Sequence, residues 1–474
     1  MRQTIIVSLC LLAGLAILGV AVLAVTRPES PPEPASAATR KVSSSLREAV
    51  TPAGIMEHER RLQDIADQNG GNRAAGTPGY DASAEYVART LRDAGYRVTV
   101  QEFELPVFQE TEPARLELEG PDAREYTRGP DFALMEYSGT GQVTAEVRPV
   151  DAVGEDRGSS GCEAGDFAGF TEGSVALLRR GACTFEQKAR NAEDAGASAA
   201  LIFEGRPSGT ETLTATLGSP GAGIPVIGTS FQVGDELLRE AEDGANIRIS
   251  AQTVSDTRAT SNVIAEMPHG GAGSTVMAGA HLDSVFEGPG INDNGSGSAT
   301  VLEIAEEMGE LGNRPRNRVR FAFWGAEEVG LVGSTHYMNG LGGSELDAIS
   351  AYLNFDMVGS PNHARFVYGS EEVVTVFEDY FAARNLDSAE TLNLSGRSDH
   401  GPFEDEGIPA GGLFSGAGGT KSGEQAEDFG GEAGEAYDSC YHAACDDIGN
   451  VDREAVDELS DAAAHAVAVF AESK

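Results

Sequence analysis

The stretch Val276-Met277-Ala278-Gly279-Ala280-His281-Leu282-Asp283-Ser284, followed by Gly290-Ile291-Asn292-Asp293-Asn294-Gly295-Ser296-Gly297, decides the reading of this chain. An apolar run of strand length ends in a histidine and an aspartate. A glycine-bounded turn then carries a second aspartate. The next segment, Ala299 to Leu311, places Val301, Leu302, Ala305, Met308 and Leu311 on one helical stripe. The pattern recurs downstream: Val319 to Trp324 reads as a strand running into Gly325-Ala326-Glu327-Glu328, and Ala351 to Phe355 as a strand ending at Asp356. Ala364 to Gly369 is a further strand, and helices follow at Glu371 to Asn385 and Arg453 to Ser473. Strands alternating with helices predict an α/β fold, an α/β/α sandwich with a mainly parallel central sheet.

Upstream, Ile55 to Leu105 reads helix, loop, helix, strand. Between 111 and 253 the character changes to short strands and glycine-rich turns, with one good helix from Glu186 to Ala195. The expected organisation is a catalytic unit in two parts, 48–110 and 254–474, interrupted by a β-rich insert at 111–253. Residues 26–47, rich in Pro, Ala and Ser, read as a linker. Arg2 precedes an apolar run from Ile5 to Val25, so residues 1–25 read as an export signal or an uncleaved membrane anchor. A secreted or extracytoplasmic location is expected, with membrane contact only through that segment. Beyond Cys10 an even set remains, Cys162, Cys183, Cys440 and Cys445, which in an exported chain argues for two disulfides.

The 474 residues carry 34 basic and 75 acidic side chains, a formal net charge of −41. The acids are spread along the chain. Such a surface repels nucleic acid and anionic membrane and excludes both as partners. It serves solubility or adaptation to high salt, and composition does not separate the two.

In open α/β sheets ligands sit at the carboxyl ends of the strands, and there this chain gathers its polar residues. His281, Asp293, Glu328 and Asp356 follow successive strands; His442 lies in Cys440-Tyr441-His442-Ala443-Ala444-Cys445. Two histidines and three carboxylates suit zinc with mixed nitrogen and oxygen ligation. Two cations held about 3.5–4 Å apart need a bridging carboxylate. A further free carboxylate then serves as general base, which gives the adjacent Glu327 and Glu328 different tasks. Singly, each residue has an ordinary explanation, such as a helix cap or a solvated pair. Their joint occurrence at the ends of successive strands does not.

These segments resemble peptidase family M28, especially secreted bacterial leucine-type aminopeptidases and vacuolar aminopeptidase Y. The resemblance covers about Ala49 to Leu105 and Ser261 to the C-terminus, with five motifs in family order. It implies two zinc ions per chain, one held by His281 and Asp356, the other by Glu328 and His442, with Asp293 bridging. It implies that Glu327 is the general base, that Asp283 orients His281, and that Tyr441 donates to the oxyanion. Ser395-Gly396-Arg397-Ser398-Asp399-His400 is similar to the segment that receives the free amine, which places Arg397 there and leaves His400 structural. Leu413-Phe414-Ser415-Gly416 looks like the wall of a specificity pocket, with Phe414 facing substrate. Within the insert, Gly161-Cys162, Asp166-Phe167 and Leu178-Arg179-Arg180-Gly181-Ala182-Cys183 resemble a protease-associated (PA) domain. That resemblance implies the pairing Cys162–Cys183 and leaves Cys440–Cys445 around His442.

The expected activity is a di-zinc aminopeptidase that removes bulky apolar residues from peptide N-termini, acting as a monomer. Rival readings on the same fold are a carboxypeptidase or dipeptidase, a glutaminyl cyclase, and a non-catalytic receptor-like binding protein. A carboxypeptidase needs a cationic cluster where only Arg397 is evident. The cyclase uses one zinc, and a receptor would have lost a ligand or the base. Calcium has no loop here with recognisable ligand spacing.

Overall fold

The computed structural model describes residues 36–121, 123–151, 160–205, 211–312, 314–390, 394 and 396–473. The expected signal or anchor, and residues 26–35 of the expected linker, lie outside these residues. Among the described residues no helix is long and apolar enough to cross a membrane.

Four parallel strands form the centre of the sheet, in the order Ala410–Phe414, Ile349–Phe355, Gly271–His281 and Asn317–Trp324. Antiparallel strands flank them, Phe366–Gly369 on one side and Asn246–Glu266 on the other. The central strands are buried on both faces, as their unbroken apolar runs require. One face carries the larger core. There Val301, Leu302, Ile304 and Met308 of the helix Gly297–Glu310 meet Val319, Phe321 and Phe323. The helix Arg453–Ala471 packs beside them through buried alanines, including Ala462, Ala463 and Ala466. Each large apolar side chain buried this way contributes about 1.5–3 kcal/mol. The opposite face carries a smaller aromatic core of Trp324, Tyr337, Tyr352 and Phe403, and helices on both faces make the sandwich. The helices Pro52–Gln68 and Pro78–Asp93 both start Thr-Pro: the threonine side chain caps a free amide and the proline occupies a position that needs no donor.

One part of the linker expectation requires correction. Residues 37–49 form a helix, Ala37–Ala49, capped by Ser36. Its contacts are distant in sequence: Ser43 Oγ lies 2.8 Å from Nδ1 of His465, and Arg47 pairs with Asp461 at 3.3 Å. A helix this short draws its stability from packing rather than propensity, so composition alone read it as unstructured.

Two long strands, Arg97–Glu119 and Asn246–Glu266, pair antiparallel from Arg97 opposite Glu266 to Glu119 opposite Asn246. The changes of character at 111 and 253 fall inside this ribbon, near irregular pairing between Glu110 and Arg115. At its far end, Gly141–Pro149, Val175–Arg179, Ala199–Phe203 and Val226–Thr229 form a parallel set. Apolar clusters around Leu177, Leu201 and Ile227, and around Leu178, Ala200 and Ile202, cover its faces. The insert also holds a second helix, Phe231–Glu242, which the sequence reading passed over. Gly234 inside it lowers helix propensity, yet a Cβ there would strike the Phe203 ring at 2.2 Å, so close packing demands the glycine. Both disulfides are formed, Cys162–Cys183 in the insert and Cys440–Cys445 beside the sheet.

Candidate metal centre and active site

Because the central strands are parallel and adjacent, their carboxyl ends form one edge. His281 closes the strand Gly271–His281, Glu327 and Glu328 follow Asn317–Trp324, and Asp356 follows Ile349–Phe355. Asp293 comes from the irregular turn Ile291–Ser296, and His442 from the disulfide loop. Nε2 of His281 lies 3.3 Å from Oδ1 of Asp293 and 3.4 Å from Oδ1 of Asp356. Nε2 of His442 lies 3.2 Å from Oδ2 of Asp293 and 3.0 Å from Oε2 of Glu328. The two oxygens of Asp293 thus face different imidazoles. Ala326, Met357 and His442 all have positive φ, at 62°, 51° and 56°. Left-handed backbone at non-glycine residues costs free energy and persists where surrounding structure enforces it, and these three adjoin or carry site side chains.

The electrostatics are those of a negative pit. Burial would raise the Asp293 carboxyl, but the two imidazoles outweigh it and hold it at about 2. Burial would strip charge from His442, but Asp293 and Glu328 raise it to about 10. Burial pushes Glu328 up to about 8, reinforced by Asp293, and pushes Glu327 well up although His281 opposes the shift. Oε1 of Glu328 is buried without a hydrogen-bond partner among the described residues. Buried carboxylates outnumbering two imidazoles are stable when a cation joins them. Nitrogen and oxygen donors within 4.8 Å of one another, as in the groups His281–Glu327–Asp356 and His281–Asp293–Glu328, fit zinc.

The supports are equally specific. Nδ1 of His281 lies 3.1 Å from the main-chain oxygen of Asp283, nearer than the 3.7 Å to its carboxylate. Asp446 accepts the backbone N–H groups of Asn292 at 2.8 Å and Asp293 at 2.9 Å. Ser398 Oγ donates to Asp356 at 2.6 Å and accepts from Asn354 at 2.8 Å. Arg73, fully buried, donates to the carbonyls of Pro289 at 2.9 Å and Gly290 at 2.5 Å and also to that of Leu282. It staples both ends of the loop between His281 and Asp293. Sequence reasoning missed Arg73, since a lone arginine in a glycine-bounded loop carries no periodic signal. It also missed Asp446, although that residue directly follows Cys445.

A cavity of about 270 Å³ opens over these residues, with Met357, Leu394, Phe414 and Ala417 on its wall and the exposed Arg397 at its mouth. Tyr441 also borders it, its ring stacked on His442 with centroids 3.9 Å apart. Burial, then Asp293 and Glu328, push the Tyr441 phenol up, so it keeps its proton and can donate. His400 stands aside, edge-on to Tyr368 at 4.8 Å.

Fold and site together define a metallopeptidase: a parallel sheet presents a nitrogen and oxygen donor set at one edge, at the floor of a cavity with an apolar wall of Met357, Leu394, Phe414 and Ala417. Peptidase family M28 matches residues 262–467 and the PA domain matches residues 141–237. An aminopeptidase of Pseudomonas aeruginosa is 45% identical over 438 residues, covering 88% of this chain and 81% of that protein. Leucine aminopeptidase 2 of Trichophyton rubrum is 34% identical, with 90% of this chain and 86% of that protein covered. A zinc aminopeptidase structure from Bacillus subtilis superposes with a TM-score of 0.56 at 25% identity, over 88% of this chain and 94% of that one. The chain belongs to peptidase family M28. It is a zinc aminopeptidase with an inserted PA domain, a hydrolase acting on peptides.

Proposed function

We propose that the centre holds two zinc ions, with His281 and Asp356 binding one, Glu328 and His442 the other, and Asp293 shared between them. The observation that carries this reading is the divided Asp293 carboxylate, one oxygen toward each imidazole. Zinc bound there supplies Lewis acidity, polarising a carbonyl oxygen and lowering the pKa of a bound water. The chain's own residues do the rest. The substrate's free amine docks beside Glu327, Asp356 and the Arg397 region, and its first side chain enters the cavity against Phe414. A bulky apolar residue suits that wall, as the leucine aminopeptidase relative's name accords with. Glu327 takes the proton of the attacking water and passes it to the departing amine. Tyr441 donates a hydrogen bond to the oxygen that becomes negative as the carbonyl turns tetrahedral. The apolar run before residue 26 and the two disulfides support an exported enzyme.

The test compares leucyl-anilide with N-acetyl-leucyl-anilide, alongside Glu327→Ala. Only the free amine should be cleaved, and the variant should lose about 10²–10⁴ in turnover while keeping its zinc. Equal cleavage of the blocked substrate would remove the aminopeptidase mechanism. Full activity of Glu327→Ala would remove the base assignment.

A further inference from the structure

A second cavity, of about 160 Å³, adjoins Glu328. Glu328 borders both cavities, and Asp283 borders the second. Apolar side chains make up most of the second cavity's lining, with Asp283, Ser284, Glu287 and Glu328 as its polar members. Leu105, Val107 and Phe108 come from the strand Arg97–Glu119, Val285 and Phe286 from the loop after His281, and Val329 from the turn after Glu328. Leu105 and Val107 are buried and belong to an apolar cluster with Ala75 and Ala326, with Phe286 packed against it. Val329 is 50% exposed, one of three large apolar side chains so exposed among the described residues. An apolar side chain left in water at the rim of an active site gains free energy when a ligand covers it.

We propose that this cavity is the subsite for the residue following the scissile bond, and that it selects apolar side chains there. The proposal rests on the reading that the substrate's first side chain occupies the Phe414 cavity. With the first residue there and the scissile bond beside Glu327 and Glu328, the chain leaves across Glu328 into the second cavity. Part of its lining is the strand that continues into the PA insert, so the limb carrying the insert also shapes the leaving-group site. Glu287, exposed at the rim, disfavours an acidic residue in that place.

Two peptide series test this on the whole protein: Leu-Xaa-Gly, varied after the scissile bond, and Xaa-Gly-Gly, varied before it. The wild type should cleave Leu-Phe-Gly with a kcat/KM about tenfold above Leu-Gly-Gly, with Leu-Asp-Gly lowest. Phe108→Ala should flatten the Leu-Xaa-Gly ranking and leave the Xaa-Gly-Gly ranking as it was. Phe414→Ala should do the reverse. Phe286→Ala carries the same expectation as Phe108→Ala if that variant does not fold. A flat wild-type ranking, or one that survives in the folded variant, overturns the second subsite alone. If Phe108→Ala instead alters the Xaa-Gly-Gly ranking, the substrate runs the other way, and both the subsite and the Phe414 placement fall.

Discussion

The carboxylate of Asp283 accepts the backbone N–H of Glu327 at 3.2 Å on one oxygen, and that of Glu328 at 3.4 Å on the other. Its main-chain oxygen meets Nδ1 of His281. One residue therefore fixes the ends of two neighbouring strands. Asp283→Ala should lower zinc affinity by about 10–100-fold, measured by titration against a chelator. Asp283→Asn keeps one acceptor oxygen and should recover part of that loss. Unchanged affinity in the alanine variant would show that the strand ends hold themselves in place.

Arg73 offers a stability test at the loop that joins His281 to Asp293. Removing it leaves the carbonyls of Leu282, Pro289 and Gly290 buried without this donor. The Gly290 carbonyl keeps the N–H of Gly295 at 3.0 Å, so two carbonyls are left unsatisfied, and at about 1–3 kcal/mol each Arg73→Ala should cost roughly 2 kcal/mol or more in urea unfolding. Lys at this position has one donor head in place of a fork and should rescue little.

The two disulfides should rank oppositely in stability and activity. Their sequence separations are 21 for Cys162–Cys183 and 5 for Cys440–Cys445. Loop entropy then gives about 3 kcal/mol for the first and about 2 kcal/mol for the second. Yet the shorter loop carries Tyr441 and His442. Replacing Cys440 and Cys445 by serine should lower kcat/KM strongly, whereas replacing Cys162 and Cys183 should lower the melting temperature more and kcat/KM little. Parallel melting and kinetic measurements on the two double variants decide it.

His58 gives a pH dependence separate from the catalytic centre. Burial opposes its charge, but Glu303 at 3.3 Å and Glu306 at 3.2 Å, with Tyr86 on Nδ1 at 2.6 Å, raise it to about 10. A folded pKa above the unfolded one, about 6.5, means stability fully present below about pH 6.5 and lost as pH rises toward 10. Urea midpoints of wild type and His58→Gln should therefore differ most near pH 6 and converge toward about pH 10. A constant gap across that range would show that His58 acts by packing alone.

The cluster of His281, Asp293, Glu327, Glu328, Asp356 and His442 was legible as a group because each stands beside a local signal: a strand end, a glycine-bounded turn or a cysteine pair. The parallel sheet was legible because strands buried on both faces must be written as unbroken apolar runs. Tertiary structure decided what depends on partners far along the chain. Ala37–Ala49 is a helix because the helix Arg453–Ala471 receives it, and Arg73 matters because a loop some 210 residues later turns its carbonyls inward. The divided Asp293 carboxylate needed two histidines brought together from 161 residues apart, with Asp446 fixing the turn between them. The second cavity adjoining Glu328 needed a strand from before the insert laid against loops from after it. Sequence periodicity reports which face of an element is buried. It does not report which distant element buries it, and the shape of the site is made there.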